Sequence, residues 1–269
     1  MAKKNLLIEK DSGVVFKNVT NIFKSKNTIP ISSPIVIAGP CSVENECMLE
    51  IIAKKMSESG VSFLRGGIFK PRTSPYDFQG IGVDGLKMLK SVSDKYNLYT
   101  VSEVTDIRYI EAMVEYVDVL QIGSRNMHNF ELLKEIGKTT HPVLLKRGMC
   151  ATINEFKMAA EYIALGGNRN IILCERGIRT FETETRNTLD ISCVAILQKE
   201  LQLPIIVDLS HSLGRKDIVC NVARAVLAMG ADGIMVEVHN SPDNALSDSQ
   251  QQLNFEEFER FMEVIKLYK

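Results

Sequence analysis

The chain has 269 residues, 45% apolar and 24% charged, close to the globular average, which excludes a disordered tail protein and a collagen-like chain. Its 32 basic residues are balanced by 33 acidic ones, so it lacks the basic excess of a general nucleic-acid binder and no nucleic-acid partner is expected. The length suits a single α/β barrel of ~250 residues better than two domains.

Residues 1–33 are mixed and polar, with short apolar runs such as Val14 to Phe16. They read as an N-terminal extension, a strand or hairpin covering one barrel end. After Pro34, short β-branched runs alternate with longer amphipathic segments, the pattern of parallel strands joined by crossover helices. Strands are predicted at Ile35–Ala38, Ser62–Arg65, Tyr99–Ser102, Val119–Ile122, Val143–Lys146, Ile171–Cys174, Ile205–Asp208 and Gly233–Glu237. Helices are predicted at roughly 44–59, 83–96, 106–116, 129–137, 153–165, 187–201, 216–229 and 255–267, each after its strand. Thr152 with Glu155 has the spacing of a capping box, and Gly60, Gly166 and Gly230 sit where helices should stop.

Eight such units over 34–269 predict a (β/α)8 TIM barrel. The structural alternative, an open doubly wound sheet, should carry a glycine-rich phosphate loop after its first strand. The segment Ala38-Gly39-Pro40-Cys41-Ser42 has neither GxGxxG nor GxxxxGK[ST]. No run of ~18 apolar residues could span a membrane, and no apolar core or cleavage site follows Met-Ala-Lys-Lys-Asn, so a cytoplasmic location is expected. The six cysteines form no CxxC pair and no disulfide framework, and buried packing is the ordinary role for each.

Barrel enzymes carry their sites at the C-terminal ends of the strands, so the residues that follow each run are the candidates. Two constellations emerge. The first is basic: Arg65, Lys70, Arg72, Arg125, Lys146, Arg147, Arg176 and Arg179. So many cations at one mouth suggest more than one phosphate or carboxylate. Any one of them could instead be a solvated rim residue or pair with Glu103 or Glu175. The second is Cys41, His211, Glu237 and Asp248, from strands one, seven and eight, which adjoin when a barrel closes. A thiolate, an imidazole and two carboxylates suit a divalent transition metal: Mn, Fe, Co, Zn or Cu. Taken singly, His211 could be a hydrogen-bonded loop histidine and Asp248 a solvated acid. Lys146 also has the place of a Schiff-base lysine, although phosphate binding explains it as well.

Long ordered motifs carry a resemblance: Gly39-Pro40-Cys41-Ser42, Arg65 to Tyr76, Gln121 to Asn126, Leu145-Lys146-Arg147-Gly148, Cys174-Glu175-Arg176-Gly177 and Asp208 to Ser212. Over about residues 30–269 the chain resembles the 3-deoxy-D-arabino-heptulosonate 7-phosphate synthases. The likeness is to their short bacterial branch, the one most similar to 3-deoxy-manno-octulosonate 8-phosphate synthase. The resemblance implies condensation of phosphoenolpyruvate with erythrose 4-phosphate, the first step toward aromatic amino acids, in a homo-oligomer, usually a tetramer. It implies Cys41, His211, Glu237 and Asp248 as metal ligands. Arg65 and Lys70 would hold the phosphoenolpyruvate carboxylate, and Arg125, Lys146 and Arg176 its phosphate. Arg72 and Thr73 would hold the erythrose phosphate. Lys70, with a pKa lowered by its cationic neighbours, is the expected proton donor, and Glu103 is expected to orient a water.

The octulosonate enzymes, which take arabinose 5-phosphate, are the alternative. They usually carry Lys-Ala-Asn-Arg-Ser where this chain has Lys70-Pro71-Arg72-Thr73, and some metal-free members carry Asn at the position of Cys41. A non-catalytic barrel that binds sugar phosphates is a remote third reading; it would be expected to lack a ligand or the lysine. Residues 1–33 are too short for the added regulatory domains of some family members, so insensitivity to aromatic amino acids is expected.

Overall fold

Eight parallel strands close on themselves in sequence order, each paired with the next and the last with the first. The computed structural model describes residues 6–16, 22 and 31–268. The strands are β1 (Ile35–Gly39), β2 (Phe63–Arg65), β3 (Tyr99–Glu103), β4 (Val119–Ile122), β5 (Val143–Lys146), β6 (Ile171–Glu175), β7 (Ile205–Asp208) and β8 (Gly233–Glu237). The main helices are α1 (Glu46–Glu58), α2 (Asp84–Lys95), α3 (Ile110–Tyr116), α4 (Phe130–Gly137), α5 (Ile153–Leu165), α6 (Ile191–Glu200), α7 (Val219–Ala228) and α8 (Phe255–Lys266). Closure of β8 onto β1 over five residue pairs rules out the open sheet.

Alternation along the strands explains both the core and the site. Ile35, Ile37, Phe63, Val101, Val119, Leu144, Ile206 and Met235 belong to an inner apolar cluster. Their neighbours Val36, Leu64, Leu120, Leu145, Val207 and Val236 belong to an outer one, with Leu49, Ile52, Phe156 and Phe258 of the helices. Successive side chains face opposite ways, so one further step of two along the inner face reaches Arg65, Glu103, Gln121, Lys146, Asp208 and Glu237. Because all strands run parallel, these polar residues arrive at the same end of the barrel.

Local chemistry sets several helix boundaries. Thr152 Oγ1 accepts from the Glu155 N–H at 3.2 Å and Glu155 Oε2 accepts from the Thr152 N–H at 2.7 Å, the predicted box at the start of α5. Asn254 and Glu257 form a second box on α8. Two predicted helices begin late. The segment 106–109 is a 3-10 turn capped by Asp106, which precedes α3. The backbone of 187–188 is taken by tertiary pairs: Asn187 N–H to Ser212 and Thr188 with Ile178. Gly166 ends α5 but has an ordinary φ of -66°; the left-handed residue is Gly167. A Cβ at Gly166 would lie 2.6 Å from the Gly137 carbonyl carbon, so its smallness lets the ends of α4 and α5 meet.

Within the extension, the described residues hold a 3-10 turn at Lys10–Ser12 and a single bridge between Glu9 and Leu201, rather than the predicted strand or hairpin. Residues 1–5, 17–21 and 23–30 lie outside the described residues. The anchor is both apolar, through buried Ile8 and Phe16, and polar. Leu7 and Ile8 N–H donate to the Glu161 carboxylate of α5 at 3.0 and 3.3 Å, and Gln202 Nε2 donates to the Glu9 and Val14 carbonyls. Ile22 and Ile31 join the inner apolar cluster.

Candidate functional site

The polar layer floors a cavity of about 250 Å3 at the barrel mouth. Six of the predicted cations line it: Arg65, Lys70, Arg72, Arg125, Lys146 and Arg176. Two do not. Arg147 turns into the wall, with Nη1 2.8 Å from both Glu175 and Asp190 and Nε donating to the Ala151 carbonyl. Arg179 is exposed and lies outside the lining. Arg186, from later in the connection between β6 and α6, takes a place that reading only the residues next to the strands had missed. Its charge was visible in the sequence, but its direction depends on how that long connection folds back over the mouth.

One wall gathers three of the second constellation, with His211 beside them but outside the tightest group. Cys41 Sγ and the carboxylates of Glu237 and Asp248 lie within 4.8 Å of one another, with Sγ 3.3 Å from Asp248 Oδ2. His211 Nε2 is 3.6 Å from Glu237 Oε1 and 3.9 Å from Asp248 Oδ2. The histidine rides on a helical turn, Leu209–Leu213, whose N-cap is Asp208. Asp208 Oδ2 lies 2.8 Å from His211 Nδ1, which leaves Nε2 toward the cluster. Asp248 reaches it from a backbone φ of 46°, a left-handed conformation that aspartate tolerates better than most residues. Gln251 Nε2 donates to Glu237 Oε2, and the Cys41 N–H donates to Gln252 Oε1. Neither glutamine was singled out from the sequence, because both lie well past β8.

The donor set fits a divalent transition ion. It combines soft sulfur, imidazole and two carboxylates, and the imidazole is braced by a carboxylate on its far nitrogen, as metal-binding histidines usually are. Cations stand in close contact with the same atoms. Arg65 Nη1 is 2.5 Å from Glu237 Oε1, Lys70 Nζ is 2.9 Å from Cys41 Sγ, and Arg186 Nη1 is 3.6 Å from Asp248 Oδ2. Burial, with Glu237 adding to it, pushes the Cys41 thiol up to about 12. At neutral pH such a thiol loses its proton to solvent readily only when a bound metal ion competes for the sulfur. Glu237 is buried yet held well below the carboxylate range by His211, Arg65 and Lys70.

Lys70 corrects an expectation. A lysine among arginines was predicted to have a lowered pKa, and burial does pull it down; Cys41 and Glu237 outweigh burial and Arg65, and hold it above its ordinary value. Arg176 is 4% exposed and, among the described residues, has no carboxylate within ion-pair distance; its one hydrogen bond goes to the Gly177 carbonyl. Lys146, weighed as a Schiff-base lysine, is salt-bridged to buried Asp208. Arg72 contacts Asp77 at 3.3 Å, with Thr73 beside it in the lining. Glu103 accepts from Gln121 Nε2 at 3.3 Å. Its carboxylate packs where a Cβ on Gly123 would be, 2.0 Å from Oε1.

A mouth of this kind, cations facing a metal-type cluster at the C-terminal end of a (β/α)8 barrel, is that of an enzyme for small anionic substrates. Residues 24–269 match the model of the DAHP synthetase I family, and the chain belongs to that family. It is 55% identical to the phospho-2-dehydro-3-deoxyheptonate aldolase of Thermotoga maritima over 86% of this chain and 68% of that one. The 2-dehydro-3-deoxyphosphooctonate aldolase of Syntrophotalea carbinolica is 30% identical over 84% of this chain and 87% of its own. Among solved structures, the Thermotoga maritima enzyme superposes with a TM-score of 0.84, covering 87% of this chain and 68% of its own. A truncated form of the 3-deoxy-D-arabino-heptulosonate 7-phosphate synthase from the same organism gives 0.86, with 46% identity, over 97% of this chain and 95% of its own.

Proposed function

We propose that this chain condenses phosphoenolpyruvate with erythrose 4-phosphate, giving 3-deoxy-D-arabino-heptulosonate 7-phosphate and inorganic phosphate. The likeness favours this over the octulosonate reaction: 55% identity to the heptulosonate enzyme against 30% to the octulosonate one. The observation that carries the reading is Arg176, a buried cation with no carboxylate at ion-pair distance among the described residues, which lines the same cavity as His211 and Asp248. An uncompensated buried charge is costly, and a substrate phosphate relieves it.

The residues divide the work by position. Arg176, Lys146 and Arg125 hold the phosphate of phosphoenolpyruvate, and Arg65 with Lys70 its carboxylate. Arg72 and Thr73 hold the erythrose phosphate at the rim, where the phosphate replaces Asp77 as partner of Arg72. Cys41, His211, Glu237 and Asp248 would hold a divalent transition ion, which supplies a Lewis acid for the aldehyde oxygen. C3 of phosphoenolpyruvate then adds to the aldehyde carbon. Lys70, kept protonated beside Cys41 and Glu237, gives a proton to the oxygen that becomes a hydroxyl. Glu103, fixed by Gln121 and by the space at Gly123, orients the water that adds at C2. Phosphate leaves from the resulting hemiketal. The family resemblance adds a cytoplasmic location and a homotetramer, the latter tested by sedimentation.

The decisive assay offers phosphoenolpyruvate with either erythrose 4-phosphate or arabinose 5-phosphate. The four-carbon sugar should give the higher kcat/KM, and Arg72→Ala should raise its KM far more than that of phosphoenolpyruvate. A chelator should abolish turnover and a divalent transition ion restore it. A preference for arabinose 5-phosphate would move the chain to the octulosonate reaction.

A further inference from the structure

Asp208 has no chemical step in the reaction above, yet it touches both halves of the site. It ends β7 and is fully buried. Its Oδ2 accepts from Lys146 Nζ and also lies 2.8 Å from His211 Nδ1, while Oδ1 accepts the His211 backbone N–H at 3.0 Å. Lys146 and His211 both line the mouth cavity. The pairs Arg65 with Glu237 and Lys70 with Cys41 join a cation directly to a cluster residue. At Asp208, by contrast, a single carboxylate oxygen is shared between an anion-site cation and the cluster imidazole.

We propose that Asp208 is a positioning residue that couples anion binding at Lys146 to the state of the His211 imidazole. The proposal rests on the reading that Lys146 meets a substrate phosphate. A buried oxygen with two donors divides its accepting capacity between them. When a phosphate draws the Lys146 ammonium toward the cavity, that oxygen is left to His211 Nδ1. A stronger hydrogen bond at Nδ1 makes Nε2 the better electron-pair donor toward the cluster. The converse holds too. A cation drawn to Nε2 makes Nδ1–H the stronger donor to Asp208, which frees Lys146 for a phosphate. Linkage requires the two effects on affinity to be equal.

The test uses the full chain with 15N-labelled histidine. The metal-free protein is titrated with inorganic phosphate and with phosphoenolpyruvate while the ring nitrogens of His211 are followed by NMR. In the native protein these resonances should move along the binding curve. Mn2+ affinity, measured by chelator competition, should rise about five-fold or more at saturating phosphoenolpyruvate. In Asp208→Asn the resonances should stay in place as the anion binds, and the gain in Mn2+ affinity should fall below about two-fold. Asp208→Glu, which keeps a carboxylate, should restore part of the coupling. If Asp208→Asn does not fold, Lys146→Gln removes the other end of the link and must uncouple the sites in the same way, since Arg176 still holds phosphoenolpyruvate. Bound phosphate that leaves His211 unmoved in the native protein overturns the coupling and spares the anion site. Absence of any phosphate binding overturns both. Undiminished coupling in Asp208→Asn, or in Lys146→Gln, overturns the role of Asp208.

Discussion

Arg176 shows how much a single residue can reveal about what a cavity receives. Burial pulls its pKa down and neighbouring Arg186 adds to that, more than Asp208 offsets, so the guanidinium sits in a setting that favours an incoming anion. A charge-assisted contact contributes roughly 1.5–3 kcal/mol, and Arg176→Ala should weaken phosphoenolpyruvate binding by that amount. Calorimetry on the metal-free protein reads this without turnover, and an unchanged Kd would remove Arg176 from the anion site. The sequence showed Arg176 as readily as Arg147, because both follow the end of a strand directly. Their fates differ because Glu175 and Asp190 stand ready to pair with Arg147, whereas the cavity side of Arg176 offers no carboxylate within ion-pair distance among the described residues.

Elements bring the residues to the mouth, and their ends are set by short-range chemistry. Thr152 and Glu155 satisfy each other's backbone at the start of α5, directly after the Arg147–Ala151 contact that closes the β5 connection. Thr152→Ala removes a capping oxygen and should cost about 1 kcal/mol. That is a fall of roughly 2–4 °C in melting temperature for a chain of this size. Differential scanning fluorimetry checks it, and a melting temperature identical to that of the native protein would mean the box does not limit stability. This box was legible because its two residues are three apart. The late start of α6 was not, because Asn187 and Thr188 are claimed by Ser212 and Ile178, partners remote or non-helical in sequence.

Among the described residues the two most strongly depressed carboxyls, Asp208 and Glu237, lie together at the barrel mouth, and they weigh heavily in the response to acid. Burial opposes ionisation of Asp208 and Glu237, but His211 and Arg65 outweigh it, with Lys146 at Asp208 and Lys70 at Glu237, and both carboxyls are held well below their ordinary range. Burial also lowers His211 from 6.5. A group with a depressed folded pKa contributes stability above its unfolded value, and that stability is lost as pH falls through the folded one. His211 and the carboxyls therefore act in the same direction. Asp232, pushed up by burial, acts the other way but as a single carboxyl. Urea unfolding of the metal-free protein should show stability near its maximum above pH 7, a first decline below 6.5, and a further loss through the acid range. A rise in stability on acidification from pH 7 to 5 would contradict this balance of charges.

The eight strand-helix units and their order were legible in the sequence, and so was the inner-face step that brings Arg65, Glu103, Gln121, Lys146, Asp208 and Glu237 to one end, because period-two alternation on parallel strands is a local rule; closure itself is seen in the β8–β1 pairing. The candidate cluster of Cys41, His211, Glu237 and Asp248 was assembled from the residues that follow strands one, seven and eight, which adjoin in a closed barrel although they lie far apart in the chain, and its role as a ligand set came from the family resemblance. Tertiary structure decided which cations face inward and which lock the wall, brought Arg186, Gln251 and Gln252 to the site, and reversed the expected shift at Lys70. The reason is one of range. Alternation and capping act over two to four residues, where sequence spacing is a sufficient guide. Charge pairing in a buried mouth acts through space, and whether Lys70 sits beside arginines or beside Cys41 and Glu237 depends on loops that only closure of the barrel brings together.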